Sequence, residues 1–175
     1  SVIDLGAGTD VLILDDDNND LTASNVETLT GGTGTDTVTL GAATTGAVID
    51  LGAGSDALIL ANAVNSLTVS NVETLTGDSG ADTVTIATVV GAGSTIDLAD
   101  GNDALVLSAA VSGATIDLGA GTGDSVTLAN ATNDLTLSNA ETVTGNAGAD
   151  TVTLGAAISR ATIDLNAGTD TLKLF

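Results

Sequence analysis

The side chains able to do chemistry in this sequence are nearly all aspartates, and they recur at set places. Asp10, Asp36, Asp56, Asp82, Asp103, Asp124, Asp150 and Asp170 each close a Gly-rich turn. A Gly stands two residues before the Asp in every one except the turn ending at Asp124, where Gly123 is inserted. A second acidic position lies at the start of five of these turns: Asp4, Asp50, Asp97, Asp117 and Asp164. Thr30, Thr76 and Thr144 take its place in the other three. These are oxygen donors, set beside backbone that Gly lets approach closely. If the turns stack at the strand spacing of about 4.8 Å, the carboxylates form a column. Like charges so close repel unless a cation lies between them. A hard cation that takes about 6–8 oxygens fits such a column, and Ca²⁺ suits it better than Mg²⁺, which keeps its waters and demands tight octahedral geometry. All thirteen aspartates are candidate calcium ligands.

Other chemistry is excluded by what is missing. The 175 residues contain no His, Cys, Met, Pro, Trp or Tyr, and one Phe. Disulfides, thiolate nucleophiles and His- or Cys-based metal sites are therefore impossible. Two basic residues against 23 acidic ones give a net charge of −21, so the chain has no cationic patch for phosphates, and no nucleic-acid partner is expected. No apolar run is long enough for a transmembrane helix, so no membrane insertion is expected. A disordered acidic tail is the usual product of such a charge, but 43% hydrophobic content, nearly all Ala, Val, Ile and Leu, argues for a core.

The elements that must position the aspartates follow from the repeat. Successive terminal Asp residues are 26, 20, 26, 21, 21, 26 and 20 residues apart. Two and four residues after each comes an aliphatic side chain, as at Val38 and Leu40 or Leu105 and Leu107. Another precedes each turn, as at Ile49 and Ile96. Period-2 alternation marks β-strands, and no stretch holds a helical period. Short strands between like turns at this spacing predict an all-β, right-handed parallel β-solenoid of about eight coils, alternately 20 and 26 residues long. The chain reads as one solenoid unit over residues 1–175, expected to be a segment of a longer array that stacks end to end on itself or on flanking repeats. The longer units carry Leu21–Thr28, Leu67–Thr74 or Leu135–Thr142, read as an added short strand and bend that widens the coil. Return loops such as 41–47, 61–66 and 155–161 lack the Gly-x-Asp ending, which predicts that the Asp turns line one edge only.

Gly31-Gly-Thr-Gly-Thr-Asp-Thr-Val-Thr39 resembles the nonapeptide repeat Gly-Gly-x-Gly-x-Asp-x-U-x of the repeats-in-toxin (RTX) proteins. Residues 77–85 and 145–153 resemble it with Asp78 or Asn146 for the second Gly. The resemblance implies a β-roll with Ca²⁺ bound between consecutive turns, the terminal Asp and the turn backbone as ligands, and type I export from a Gram-negative bacterium to the cell surface or medium. It departs from the family at five turns that begin with Leu (Leu5, Leu51, Leu98, Leu118 and Leu165).

Remaining features receive structural readings. Glu27, Glu73 and Glu141 are expected to brace a bend by accepting backbone N–H groups. The run Asp15–Asp20 reads as a solvated loop. Val11/Ile13, Ala57/Ile59 and Ala104/Val106 are outward apolar pairs expected to be covered by the extra segment or by a neighbouring chain. The whole reads as a non-enzymatic calcium-binding structural module of a secreted or surface protein, such as a surface layer or adhesin. The alternative is a calcium-independent adhesive or ice-binding rod that uses outward Thr arrays such as Thr37/Thr39 and Thr83/Thr85.

Overall fold

The computed structural model describes residues 1–157 and 160–174. Among these, every regular element is a short strand, from Val2–Asp4 to Thr171–Lys173. Strands consecutive in the chain fall in opposite sheets, one of ten strands and one of nine, and each pairs in parallel with the strand one turn away. The result is the expected all-β parallel solenoid, a stack of nine turns of two strands and two corners each, closed by one further strand, so the turns are shorter and more numerous than the aspartate spacing alone implies.

Inward aliphatic columns hold the stack together. In the ten-stranded sheet, Val38, Leu58, Leu75, Ile96, Ile116, Leu137 and Leu154 pair rung on rung, and all are buried. Each such burial is worth about 1.5–3 kcal/mol. The predicted inward positions are all buried except those of the end turns, where Ile3, Leu12, Leu14 and Ile163 are half covered and Leu172 and Leu174 are exposed. The space between rungs is narrow and regular, and aliphatic side chains of similar volume fill it turn after turn.

Register explains the uneven repeat. Val11 pairs with Thr28, 17 residues on. Thr37 pairs with Ala57, 20 on, and Thr83 with Ala104, 21 on. An interval of 20 or 21 between terminal aspartates is therefore one full turn. An interval of 26 is a 17-residue turn plus half of another, which carries the next Asp to the opposite edge. This corrects two expectations. The Asp turns line both edges, not one. The extra segments do not widen a coil, because Asp20–Ser24, Ser66–Ser70 and Asn133–Ser138 are full rungs with core side chains. Each leaves its rung by a tight bend at Asn25, Asn71 or Asn139, with φ of 55°, 53° and 57°. The extra segments consequently cover nothing, and Val11, Ile13 and Ile59 remain exposed on the outer faces.

Candidate cation-binding edges

The corner that leads from the ten-stranded to the nine-stranded sheet is termed the forward edge, and the opposite corner the return edge. One residue per turn occupies the same place on each edge, just before a strand or at its first residue. On the forward edge the order is Asp10, Glu27, Thr44, Asn65, Asp82, Asp103, Asp124, Glu141. On the return edge Asn19, Asp36, Asp56 and Glu73 come first, and Asn133, Asp150 and Asp170 follow further along.

A hydrogen-bond ladder joins these residues. The backbone N–H of most of the Asp and Asn members donates to a side-chain oxygen on the next turn, whereas those of Glu27, Glu73 and Glu141 donate back to the Asp10, Asp56 and Asp124 carbonyls. Asn65 donates to Asp82 Oδ1 at 2.9 Å, Asp82 to Asp103 at 2.7 Å, Asp103 to Asp124 at 2.7 Å, and Asp124 to Glu141 Oε2 at 3.0 Å. The return edge repeats this from Asn19 to Asp36 (2.9 Å), Asp36 to Asp56 (2.8 Å) and Asp56 to Glu73 (2.8 Å). Glu27 does the same for Asp10 at 2.7 Å. The three Glu residues thus accept backbone N–H groups as expected.

In seven of the ladder aspartates the hydrogen bonding stops at the first oxygen. Oδ2 of Asp10, Asp36, Asp56, Asp82, Asp103, Asp124 and Asp150 is buried and has no partner. Six of these residues are themselves at most 1% exposed, Asp10 being the half-buried one. An unpaired buried anion is among the costliest arrangements a fold can hold. Burial pushes the Asp103 carboxyl up to about 6, with the neighbouring Asp124 and Asp82 charges adding to the shift against the hydrogen bond from Asp82. Burial likewise raises Asp56, Asp82 and Asp124.

Main-chain oxygens crowd the same spaces. A Cβ on Gly121 would strike the Gly101 carbonyl oxygen of the turn before and both carboxylate oxygens of Asp124. One on Gly54 would strike the Gly34 carbonyl and the Asp56 carboxylate, and one on Gly31 the Leu51 carbonyl and Asp36 Oδ2. Carboxylate and carbonyl oxygens of adjacent turns therefore meet where only Gly leaves room. Among the described residues no three acidic side chains converge. A cation on these edges would take one carboxylate per turn and complete its shell with backbone carbonyls and water, a donor set that fits Ca²⁺.

The second acidic set makes local turn bonds. Asp4, Asp50, Asp97, Asp117 and Asp164 each accept the N–H two residues on, at 2.9–3.1 Å. That residue is Gly6, Gly52, Ala99, Gly119 or Asn166, all with φ between 60° and 86°. Asn25, Asn71 and Asn139 donate to Asp4, Asp50 and Asp117 from the next turn. The Asn25 bond and then the Gly6 N–H hold the Asp4 carboxyl below its ordinary range. These five aspartates brace the start of the turn through Oδ1, as side-chain turns of this kind do, which leaves Oδ2 outside these bonds.

The Leu that opens three of the five Leu turns, those in the interior of the stack, is a core residue. Leu51, Leu98 and Leu118 are completely buried core residues, and Gly31 and Gly77 of the turns below leave room for the carbonyls of Leu51 and Leu98. A Gly turn opens the runs that start at Asp36, Asp82 and Asp150, and Leu turns continue them. The run Asp15–Asp20 forms the corner beneath the first Gly turn, where Gly32 and Gly34 lie against the Asp15 and Asp17 carbonyls. Sequence reasoning missed Asn19, Asn65 and Asn133 as edge residues. They follow Leu14, Leu60 and Leu128 by five residues, the interval of Leu51 to Asp56, and that spacing was the available signal.

No known protein family, curated protein or solved structure matches this chain.

Proposed function

We propose that this chain is a non-enzymatic structural module whose two acidic edges are held together by Ca²⁺, as part of a secreted or surface-exposed bacterial protein such as a surface layer or adhesin. One observation carries the reading: seven buried carboxylate oxygens on stacked turns have no hydrogen-bond partner. A divalent ion between turns would satisfy them, relieve their mutual repulsion and offset part of the −21 charge. Folding and ion uptake are then coupled, since the unfolded chain does not hold the oxygens together. The resemblance of 31–39 to the RTX nonapeptide agrees with this chemistry and suggests the extracellular setting, where free calcium is abundant. The test is thermal unfolding of the metal-stripped chain with and without millimolar Ca²⁺. Calcium should raise the melting temperature strongly and Mg²⁺ far less; equal melting in all three conditions would sink the reading.

A second reading has one observation in its favour. Thr74, Thr95, Thr115, Thr136 and Thr153 form an unbroken outward column on five successive rungs of the ten-stranded sheet. A calcium-independent rod that binds an ordered surface, ice or a lattice, would use it. Loss of such binding in Thr115→Tyr, with unchanged calcium response, would support this reading.

A further inference from the structure

Three runs of acidic turns begin in the same way, with an Asn in the ladder place: Asn19 before Asp36, Asn65 before Asp82, Asn133 before Asp150. Asn65 Oδ1 accepts the Thr44 N–H of the turn before, and Asn133 Oδ1 that of Val111, both at 3.2 Å. This is the bond that Asp Oδ1 makes elsewhere, so Nδ2 of these Asn residues stands on the branch where the Asp residues carry the orphaned Oδ2. What Nδ2 does there is the same each time. Asn65 Nδ2 donates to the Ala61 and Ala63 carbonyls and to Asp82 Oδ1, at 2.9, 3.0 and 2.9 Å. Asn133 Nδ2 donates to Ala129, Ala131 and Asp150 Oδ1, at 3.0, 3.0 and 2.8 Å. Asn19 Nδ2 donates to the Asp15 and Asp17 carbonyls and to Asp36 Oδ1, at 3.3, 2.7 and 3.0 Å.

An NH₂ group carries two donor hydrogens and partial positive charge. In these corners it gathers two backbone carbonyls of its own turn and a carboxylate of the next, which is the work asked of a cation in the Asp turns. We infer that Asn19, Asn65 and Asn133 are built-in substitutes for the metal: their side-chain amides close the first corner of each acidic run without an ion and confine the demand for cations to the aspartate turns that follow. Ladder identity, Asn or Asp, then sets how many ions the rod takes and where. The Glu at the far end of the first two runs accepts the last Asp N–H and returns the edge to direct bonding. This inference deepens the calcium reading and rests on it for the ion count, but not for the order of metal-free stabilities.

Two exchanges test it. Asp103→Asn places an amide where a buried orphan oxygen stood, with Asp124 Oδ1 one turn on as its acceptor. Asn65→Asp creates a new orphan. Calorimetric Ca²⁺ titration should lose one equivalent in D103N and gain one in N65D. In metal-free buffer D103N should melt about 2–4 °C above the wild type and N65D as much below it. If the wild type binds Ca²⁺ but both stoichiometries stay unchanged, the amide inference is overturned and the calcium reading survives. If the wild type takes up no Ca²⁺, the calcium reading fails, and the metal-free melting order alone decides: D103N melting at or below the wild type overturns the inference. Should N65D not fold without metal, the stoichiometry and melting temperature of D103N decide by themselves.

Discussion

The backbone N–H of Asp82 donates to Asp103 Oδ1 at 2.7 Å, one turn on, while Oδ2 of that same carboxylate is buried with no donor. One oxygen fixes the register of the edge and the other is buried without a donor. Most of the measurable behaviour of the rod follows from this division.

Stability without metal should depend on pH in a direction unusual for an acidic protein. The Asp103 carboxyl is raised from 3.8 to about 6 in the fold. Below its unfolded value the group is neutral in both states and costs folding nothing. As pH rises from 3.8 to about 6 the unfolded chain releases the proton that the folded chain keeps, so stability is lost across that window. Asp56, Asp82 and Asp124 are raised as well and add to the trend. Melting of the metal-free chain by circular dichroism should therefore occur at a higher temperature near pH ~4.5 than near pH ~7. The reverse order would contradict the burial of these charges. Added Ca²⁺ should flatten the dependence, because the bound ion holds the carboxylates ionised.

The close approach of turns makes certain glycines irreplaceable. Gly121→Ala drives a methyl group into the Gly101 carbonyl and the Asp124 carboxylate. Forced contacts of this kind cost about 1–3 kcal/mol. Gly91 is the control: its Cβ would meet nothing within 4 Å and its φ is not left-handed. Gly91→Ala should be neutral or more stable by about 0.4–1 kcal/mol, through the unfolded chain alone. Denaturant midpoints of the two variants at saturating Ca²⁺ give the comparison.

Glu73 ends an acidic run by accepting the Asp56 N–H at 2.8 Å. Glu73→Ala leaves that N–H without its acceptor, a loss of about 1–3 kcal/mol. Glu73→Gln keeps an oxygen in reach and should lie within about 0.5 kcal/mol of the wild type. A Gln variant as damaged as the Ala variant would mean that the charge of Glu73, and not its hydrogen bond, is what the edge uses.

The middle of the rod should be the most sensitive to core truncation. Leu98 is completely buried at the start of a turn, with stacked rungs on both sides. Leu98→Ala should cost about 2–5 kcal/mol. Leu174→Ala, at a side chain 71% exposed, should cost almost nothing. Equal losses at both positions, read by chemical denaturation, would show that the end turn is covered by something other than the rod's own rungs.

Much of this was legible in the letters. The inward aliphatic positions were readable because alternation has a period of 2 and a one-residue slip would expose the whole set. The terminal aspartates were readable because each closes a Gly-containing turn. The two edges were not, because Asp-to-Asp spacing records a turn and a half as easily as one long turn, and only strand pairing separates 26 into its parts. Leu21, Leu67 and Leu135 look like additions to a coil until their rungs are seen to lie in line with Val38, Val84 and Val152. Asn65 escaped notice because an isolated Asn in a loop carries no signal of its own; its meaning lies in the Asp82 carboxylate one turn away. The bracing by Asp50 of Gly52 is a local turn, present in the spacing, yet indistinguishable in sequence from a metal ligand.

The central claim is that cations lie between the aspartate rungs, and an anomalous difference map of crystals grown in millimolar Ca²⁺ tests it most directly. The expected result is a row of calcium peaks beside Oδ2 of Asp36 and Asp56 on one edge and of Asp82, Asp103 and Asp124 on the other, with none in the corners of Asn19, Asn65 and Asn133. Ordered water alone along both edges, at saturating calcium, would contradict it.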